Sequence, residues 1–446
     1  MGKLSTWLRN LRRYPSLAAG VIIVALFFAI SIYTLIAIPY SEGVLLWRGG
    51  PGVWDDYPKN ARPLYYDLFT RDRLPRTVLV TSQDEGTRHV EPLAEDTVLV
   101  EITLPFTYSY DGFPREISVF TTATFQESNM PIAFYWRTPD GRTITVREER
   151  LTRRGTDTYH ISQDTDLIMR LDNTIPHQGL FADPAHPDTA LKGDYQLVLQ
   201  AQLHEDDELE AKLLVYGQIH GLAGTDHKRR DLMVALLWGA PVGLAFGILA
   251  AVGAQVSTFV LAGIGTWFGG KLERIFQWLT QVNSVLPMLP ILIMIGYFYS
   301  RSIWLMLGLV IALNVFSASM FTYRAMFLQA REAPYFEAAQ AYGAGNWRII
   351  FRYLLPRLAP TLLPQFVTII PTFVFLEATL AVLGLGDPKL PTWGKVMNDA
   401  YGQGALYKGY YYWITQPAIL LMLMGVGFSL VGFALDRIFN PRLRTV

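Results

Sequence analysis

The sequence predicts a mainly α-helical membrane protein with a β-rich domain between its first and second membrane-spanning segments. The composition is the first reason. Of the 446 residues, 51% are hydrophobic and 17% are charged, whereas soluble domains usually carry about 25% charged residues. The second reason is that six stretches lack charge over a length that can cross a bilayer. The third is a long region between the first two stretches, in which apolar and polar residues alternate as in β-strands.

The six uncharged stretches define the predicted spans. They cover residues 17–38, 232–270, 275–300, 302–323, 358–376 and 409–435. Each is long enough for one crossing, because a helix needs roughly 20 apolar residues to cross about 30 Å of hydrocarbon. The second stretch is longer than one crossing needs, so we expect an interfacial lead-in over 232–241 and a span over 242–264. We interpret the first stretch as an uncleaved signal anchor, with a cleaved signal peptide as the alternative.

The distribution of charge predicts the orientation. Residues 39–230 contain 30 acidic and 20 basic residues, and the rest of the chain contains 8 and 18. Basic residues precede the first span (Lys3, Arg9, Arg12 and Arg13), recur across 324–357 and return in the tail at Arg437, Arg442 and Arg444. Because basic residues mark cytoplasmic segments, we expect a multi-pass protein of the cell (inner) membrane with both termini in the cytoplasm and the acidic region outside.

The acidic region, residues 40–228, is predicted to be an extracytoplasmic β-rich domain. Strands are expected at 78–81, 97–104, 116–125, 131–136, 143–146, 158–162, 195–203 and 212–220. Turn residues at 138–141 predict a hairpin between two of these strands, and the acidic run 205–208 predicts another between 195–203 and 212–220. Seven or more short strands joined by turns favour a β-sandwich.

No catalytic or metal-binding residue is assigned from the sequence. The chain has no cysteine, its histidines lack metal-ligand spacing, and no hydrolase motif is present. We interpret the acidic run 205–208 as a solvated turn in preference to a calcium site. No cofactor and no nucleic-acid partner is expected. For the β-rich domain we favour an interaction module that docks a binding protein or partner subunit, with a ligand-free spacer as the alternative.

Residues 331–357, between the fourth and fifth stretches, carry the functional prediction. Glu337, Ala338 and Ala339 can begin a helix, since an early acid favours the positive helix end. Gly343 and Gly345 are expected to break that helix. A second short helix should run over 347–355 and stop at Pro356. This helical elbow (residues 331–357) is suited to fit a groove on another protein; an ordinary amphipathic loop is the alternative.

The elbow resembles the EAA loop of ABC importer permeases. The matching residues are Glu337, Ala338, Ala339, Gly343, Ile349, Leu355 and Pro356. In that family the loop contains the coupling helix, which docks into a separate ATPase subunit. The resemblance therefore implies that these residues couple the chain to ATP hydrolysis elsewhere.

Further segments resemble the dipeptide and oligopeptide permeases, and specifically the second permease of the pair. They are residues 224–231, 377–386, 391–394 and 440–443. The resemblance covers 224–446 and the first span but not the β-rich domain, which is larger than the family usually has there. The chain also departs from the family. Arg229 replaces a glycine, Arg357 replaces an asparagine, and Phe433 replaces an acidic residue.

The resemblance implies a domain organisation and a set of partners. Residues 1–39 would form the cytoplasmic N-terminus and first span, 40–228 the inserted domain, and 229–446 a five-helix permease core. The chain would be a transporter subunit and not an enzyme, since it has no phosphate-binding loop. Its partners would be a second permease, two ATP-binding subunits, an extracytoplasmic substrate-binding protein and the lipid bilayer. Peptides would be imported by alternating access; nickel complexes and oligosaccharides, or a membrane-anchored binding or sensor protein, are the alternatives.

Four polar residues inside the predicted spans are candidates for the translocation pathway or gate. They are Asn283, Asn314, Gln365 and Glu377. Polar groups are costly in a membrane and are often functional there. For Asn314 we favour an interhelical hydrogen bond over substrate contact, and for Glu377 we favour structural pairing over substrate binding.

Overall fold

The computed structural model describes residues 15–70, 73–84, 86–94, 97–124, 130–151, 155–204 and 206–439. They form two compact units. One is the insert, Gly49–Met233, and the other is the helical unit, which joins the chain up to Arg48 to the chain from Val234 onward. The predicted basic residues Lys3, Arg9, Arg12, Arg13, Arg442 and Arg444 lie outside the described residues, as do the 440–443 segment and Glu205 of the acidic run.

The helical unit consists of thirteen α-helices within the described residues. They are α1 (Pro15–Ala37), α2 (Tyr40–Arg48), α5 (Leu232–Phe268, whose first two residues belong to the insert), α6 (Gly270–Val285), α7 (Met288–Phe298), α8 (Ile303–Asn314), α9 (Ser319–Arg331), α10 (Pro334–Ala341), α11 (Asn346–Ile349), α12 (Leu355–Leu358), α13 (Leu362–Leu380), α14 (Trp393–Gly402) and α15 (Tyr412–Phe439). Two turns of π-helix, Ile350–Leu354 and Ala381–Leu385, extend α11 and α13.

Several of these helices are long and apolar enough to cross a membrane. Four qualify as they stand: α1, α5, the continuous helical stretch 346–385 and α15. Two bent pairs raise the number to six if each pair is one span: α6 with α7, bent by 76°, and α8 with α9, bent by 50°. The prediction of several apolar helices is confirmed, and the six crossings remain a prediction.

The expected interfacial lead-in, 232–241, and the second span belong to one helix, because α5 is continuous through Pro241; the interfacial position of 232–241 remains a prediction. A proline inside a helix leaves the carbonyl four residues earlier without its donor, and here that carbonyl belongs to Leu237. The Thr34 hydroxyl of α1 lies 3.3 Å from it and 2.8 Å from the Ile30 carbonyl, so its single proton is shared between the two. The Trp393 indole donates to the neighbouring Leu236 carbonyl at 2.8 Å. Neighbouring helices thus bring donors to the backbone around the proline.

The insert is a β-sandwich. Its strands are β1 (Val78–Thr81), β2 (Arg88–Ala94), β3 (Thr97–Tyr108), β4 (Glu116–Thr124), β5 (Met130–Arg137), β6 (Thr143–Leu151), β7 (Gly155–Tyr159), β8 (Ala182–Asp183), β9 (His186–Ala190), β10 (Gly193–His204) and β11 (Glu208–Tyr216), with short helices α3 (Thr165–Arg170) and α4 (Pro176–Gly179). One sheet has the order β1-β11-β4-β7 and the other β2-β3-β10-β5-β6, and β8 pairs with β9. A single hydrophobic core joins the two larger sheets.

One predicted hairpin is confirmed and the other is wrong. Strands β5 and β6 pair around the 138–141 turn. Strands β10 and β11 do not pair, because β10 lies between β3 and β5 while β11 lies between β1 and β4 in the opposite sheet. Each carries an alternating apolar stripe, including Leu197 and Leu199 on β10 and Leu213 on β11, and both stripes enter the same core. The chain therefore passes from one sheet to the other between β10 and β11, and the apolar stripes of both strands are buried.

Candidate functional site

The first half of the elbow is a short helix with a defined C-terminus. Pro334 stands in the first turn of α10, where a missing N–H costs nothing. At the other end the Ala344 N–H donates to the Ala339 carbonyl at 3.0 Å and the Gly343 N–H donates to the Gln340 carbonyl at 2.9 Å. This pair of bonds is the Schellman motif, which needs a left-handed residue. Gly343 supplies it with φ +78°.

The second half of the elbow continues directly into the next long helix. Gly345 caps α11 with an extended backbone, and a π turn over Ile350–Leu354 follows. The expected helix stop at Pro356 is wrong. The proline stands in the first turn of α12, directly after a turn whose wider hydrogen-bond register tolerates a residue without an N–H.

Apolar side chains fix the elbow to the helical unit. Phe336, Ile349, Ile350, Leu354 and Leu355 are buried together with residues of α5 and α9. Each fully buried aliphatic or aromatic side chain contributes roughly 1.5–3 kcal/mol. The elbow is therefore held by its own side chains and is not a loose loop.

Polar contacts add to this anchoring. The Trp267 indole donates to Asn346 Oδ1 at 3.2 Å. Arg331 donates through Nη1 to the Thr266 carbonyl at 3.0 Å. Each contact joins the elbow to the end of α5, so a force on the elbow is passed to that helix.

The opposite face of the elbow is exposed. Glu337, Ala338 and Gly343 are exposed, Tyr342 is 93% exposed and Trp347 is 58% exposed. A surface with two exposed aromatic rings beside small residues has the composition of a protein contact. The residues matched to the family motif thus divide into two groups. Ile349 and Leu355 are buried anchors, Ala339 is half-buried, and the others, with the exposed Pro356, are at the surface.

Two of the candidate pathway residues bind backbone at the break between α8 and α9. Asn283 Nδ2 donates to the Leu313 carbonyl at 2.7 Å and the Phe316 carbonyl at 3.2 Å. Asn314 Nδ2 donates to the Val310 carbonyl at 2.7 Å and lies 3.4 Å from Met288 Sδ. Thr258, which the sequence reading passed over, donates to the Val315 carbonyl at 2.7 Å. Such a break leaves carbonyls that need donors in an apolar environment.

We expect Asn283→Leu to lower the free energy of unfolding by about 1 kcal/mol, the usual range for an interhelical hydrogen bond. The reason is that two carbonyls at the break lose their donor. Thermal unfolding of the detergent-solubilised chain measures this, with Gln281→Leu, an exposed amide on the same helix, as the control. An unchanged midpoint together with a changed KM for uptake would assign Asn283 to substrate contact.

Gln365 belongs to a polar cluster of three helices. The Tyr323 hydroxyl lies 2.5 Å from Gln255 Oε1 and 2.6 Å from Gln365 Oε1. A hydroxyl has a single proton to donate, so one of the two amides must turn its NH₂ toward it. Gln255 and Tyr323 are buried and are absent from the sequence prediction. Gln255 could have been identified as a candidate from the sequence, because it is a polar amide inside the apolar stretch 232–270.

Glu377 is buried near the end of α13, where its carboxyl lies close to the side chain of Thr392. Trp393 and Gly394, the two residues after Thr392, pack tightly. Trp393 lies over Gly239, where an added Cβ would meet the indole at 2.2 Å, and a Cβ on Gly394 would meet the Ala378 carbonyl oxygen at 2.5 Å. Glu377 therefore lies in a packed junction, and it is separate from the Tyr323 cluster in the described contacts.

Comparisons with known proteins give one family and a set of peptide permeases. Residues 243–445 match the family described as "Binding-protein-dependent transport system inner membrane component". The chain is 27% identical over 224 residues to the dipeptide transport system permease DppC of Bacillus subtilis, covering 50% of this chain and 68% of that one. It is 28% identical to the oligopeptide permease OppC of the same organism, covering 50% and 72%. It is 31% identical over 228 residues to a Brucella suis protein that carries the name of a peptide transport system permease, covering 50% and 74%.

Proposed function

Because the chain belongs to the family of binding-protein-dependent inner membrane components, and within it to the peptide permeases of ABC importers, we propose that it forms one half of an ATP-driven peptide translocation pathway. The other half is a second permease. Two ATP-binding subunits supply the energy, and an extracytoplasmic binding protein delivers the substrate. The chain itself performs transport and not catalysis.

The observation that carries this proposal is the two-sided elbow. Its buried side chains fix it to α5 and α9, and its exposed face presents Glu337, Ala338 and Tyr342. A surface that is exposed on one side and rigidly held on the other can pass a movement of a bound partner to the membrane helices. Alternating access then follows from a change between two arrangements of those helices.

The polar groups divide between support and pathway. We assign Asn283 and Asn314 to holding the α8–α9 break and Glu377 to the junction with Thr392. Gln365 is half-buried, and with Tyr323 and Gln255 it is the best candidate to meet a passing peptide. Amide and hydroxyl groups can exchange their mutual hydrogen bonds for bonds to a peptide backbone.

The proposed topology places both termini and the elbow in the cytoplasm and the insert outside the cell membrane. Excess basic residues beside the spans support this orientation. The insert then serves as the docking module for the binding protein or a partner subunit. Dipeptides and oligopeptides are the proposed substrates because the matched relatives are named for them. Nickel complexes and oligosaccharides are the alternative substrates, and their uptake should be measured as well.

The experiment is reconstitution of the chain with its genomic neighbours in proteoliposomes. We expect uptake of a labelled dipeptide that requires ATP, the binding protein and both permeases. Uptake of a labelled oligosaccharide or nickel complex alone would reassign the substrate. A chain that purifies alone and binds ligand only through its insert would instead make it a membrane-anchored sensor.

A further inference from the structure

Arg229 has a strained backbone and lies in the segment by which the chain leaves the insert, here called the base of the insert. Arg229 has φ +65°, in the left-handed backbone region that residues with a Cβ adopt only at an energetic cost. Strained backbone persists where surrounding interactions hold it, and it often marks a functional position. Arg229 is also 8% exposed, although arginine is seldom fully buried without a partner.

Three contacts hold the Arg229 side chain. Nη2 lies 2.7 Å from Glu116 Oε2, Nη1 donates to the Tyr57 carbonyl at 2.8 Å, and the guanidinium lies 4.1 Å from the centre of the Tyr216 ring. Glu116 is on β4 and Tyr216 ends β11, so both belong to one sheet of the sandwich. Charge-assisted bonds of this kind are the stronger class of hydrogen bond.

The segments that enter and leave the insert are joined at the same place. The Ala61 N–H donates to Thr225 Oγ1 at 2.9 Å, and that hydroxyl donates to the Pro58 carbonyl at 2.5 Å. Backbone bonds connect Asn60 to Asp226 and Thr225 to Ala61. The incoming and outgoing segments are therefore paired with each other before they reach the sandwich.

The first turn of α5 is continuous with this base. The Met233 N–H donates to Asp231 Oδ1 at 2.8 Å, which caps the helix, and the Leu232 N–H donates to the Gly224 carbonyl at 3.0 Å. Arg229 is two residues from that cap. Its side chain links the incoming segment to the sandwich.

We propose that Arg229 is a clamp: it fixes both connecting segments, residues 57–62 and 218–226, to one sheet of the sandwich. Loss of its contacts should therefore loosen both connecting segments and leave the sandwich itself intact.

The test is amide hydrogen exchange on the full chain in lipid nanodiscs, comparing the chain as it is with Arg229→Gly. Glycine relieves the left-handed strain and removes the contacts, so strain relief and clamp loss predict opposite signs. We expect exchange in 57–62 and 218–226 to become about tenfold faster or more, with the β3 and β10 amides unchanged. Exchange that stays the same or slows would overturn the clamp.

Asn60→Gly is the matched control. Asn60 lies in the same incoming segment with φ +53°, so this variant relieves the same kind of strain and adds the same chain freedom without touching Glu116. Its exchange rates should stay close to those of the unmodified chain.

Two further variants keep the test decisive. If Arg229→Gly unfolds the whole insert, Arg229→Lys retains the charge but loses the two-pronged contact, and the same segments should be exposed selectively.

Glu116→Gln should reproduce most of the Arg229→Gly effect, and the double variant should add little to it. Full protection in Arg229→Lys, or additive effects in the double variant, would contradict the clamp.

Discussion

We expect Gly343→Pro to abolish nearly all ATP-dependent uptake while the chain remains in the membrane. Proline fixes φ near −65°, whereas Gly343 has φ +78°. Proline also lacks the N–H that donates to the Gln340 carbonyl. The C-terminus of α10 therefore cannot form, and the exposed face of the elbow loses its shape. We expect uptake to fall by roughly two orders of magnitude, which corresponds to about 2.7 kcal/mol of lost coupling.

Two neighbouring variants separate this effect from general damage. Asn tolerates the left-handed region, so Gly343→Asn should retain most uptake. Gly345 has an extended backbone, and nothing lies within 4 Å of an added Cβ, so Gly345→Ser should leave uptake unchanged. Normal uptake in Gly343→Pro would show that the elbow does not couple. The measurement is dipeptide uptake and ATP hydrolysis by the same proteoliposomes.

We expect Arg230→Met to destabilise the insert strongly. Arg230 Nη2 lies 2.5 Å from Asp226 Oδ2, and the two side chains are 4% and 1% exposed. Removing the cation leaves a buried carboxylate without its counter-charge, which costs about 3–5 kcal/mol. For a domain of this size that corresponds to a fall in unfolding temperature of roughly 10 °C. Calorimetry of the full chain, with proteolysis to localise the change to the insert, measures it.

The matched control is a surface pair. Lys192 Nζ lies 2.5 Å from Asp111 Oδ1, but these side chains are 53% and 48% exposed, so Lys192→Met should cost less than about 1 kcal/mol. Adding Asp226→Asn to Arg230→Met should recover much of the loss, because the amide oxygen can still accept from the Lys228 and Arg230 N–H groups. Equal losses for Arg230→Met and Lys192→Met would contradict the assigned burial.

Local sequence signals predicted the parts of the fold that depend on local physics. Long uncharged stretches identify helices because length and apolarity are sufficient. The turn at 138–141 identifies its hairpin, and Gly343 identifies the helix end. In each case neighbouring residues along the chain determine the outcome.

The wrong predictions depend on features that the local sequence pattern did not indicate. The separation of β10 and β11 into opposite sheets depends on which other strands occupy the places beside them. Pro356 is tolerated because a π turn precedes it, and no sequence pattern indicated that turn. At the candidate site, Tyr323 and Gln255 can be recognised as a polar cluster only because they lie beside each other and beside Gln365 in the structure.

The coupling of the elbow to an ATP-binding subunit is tested most directly by crosslinking at Tyr342. The chain has no cysteine, so Tyr342→Cys gives a single thiol at a position that is 93% exposed. Trp304→Cys, at a helical position that is 70% exposed, is the control. We expect the assembled transporter to crosslink position 342 to an ATP-binding subunit and position 304 to none. Labelling of position 342 by a membrane-impermeant reagent from outside the cell, or no crosslink in an assembled and active complex, would contradict the assignment.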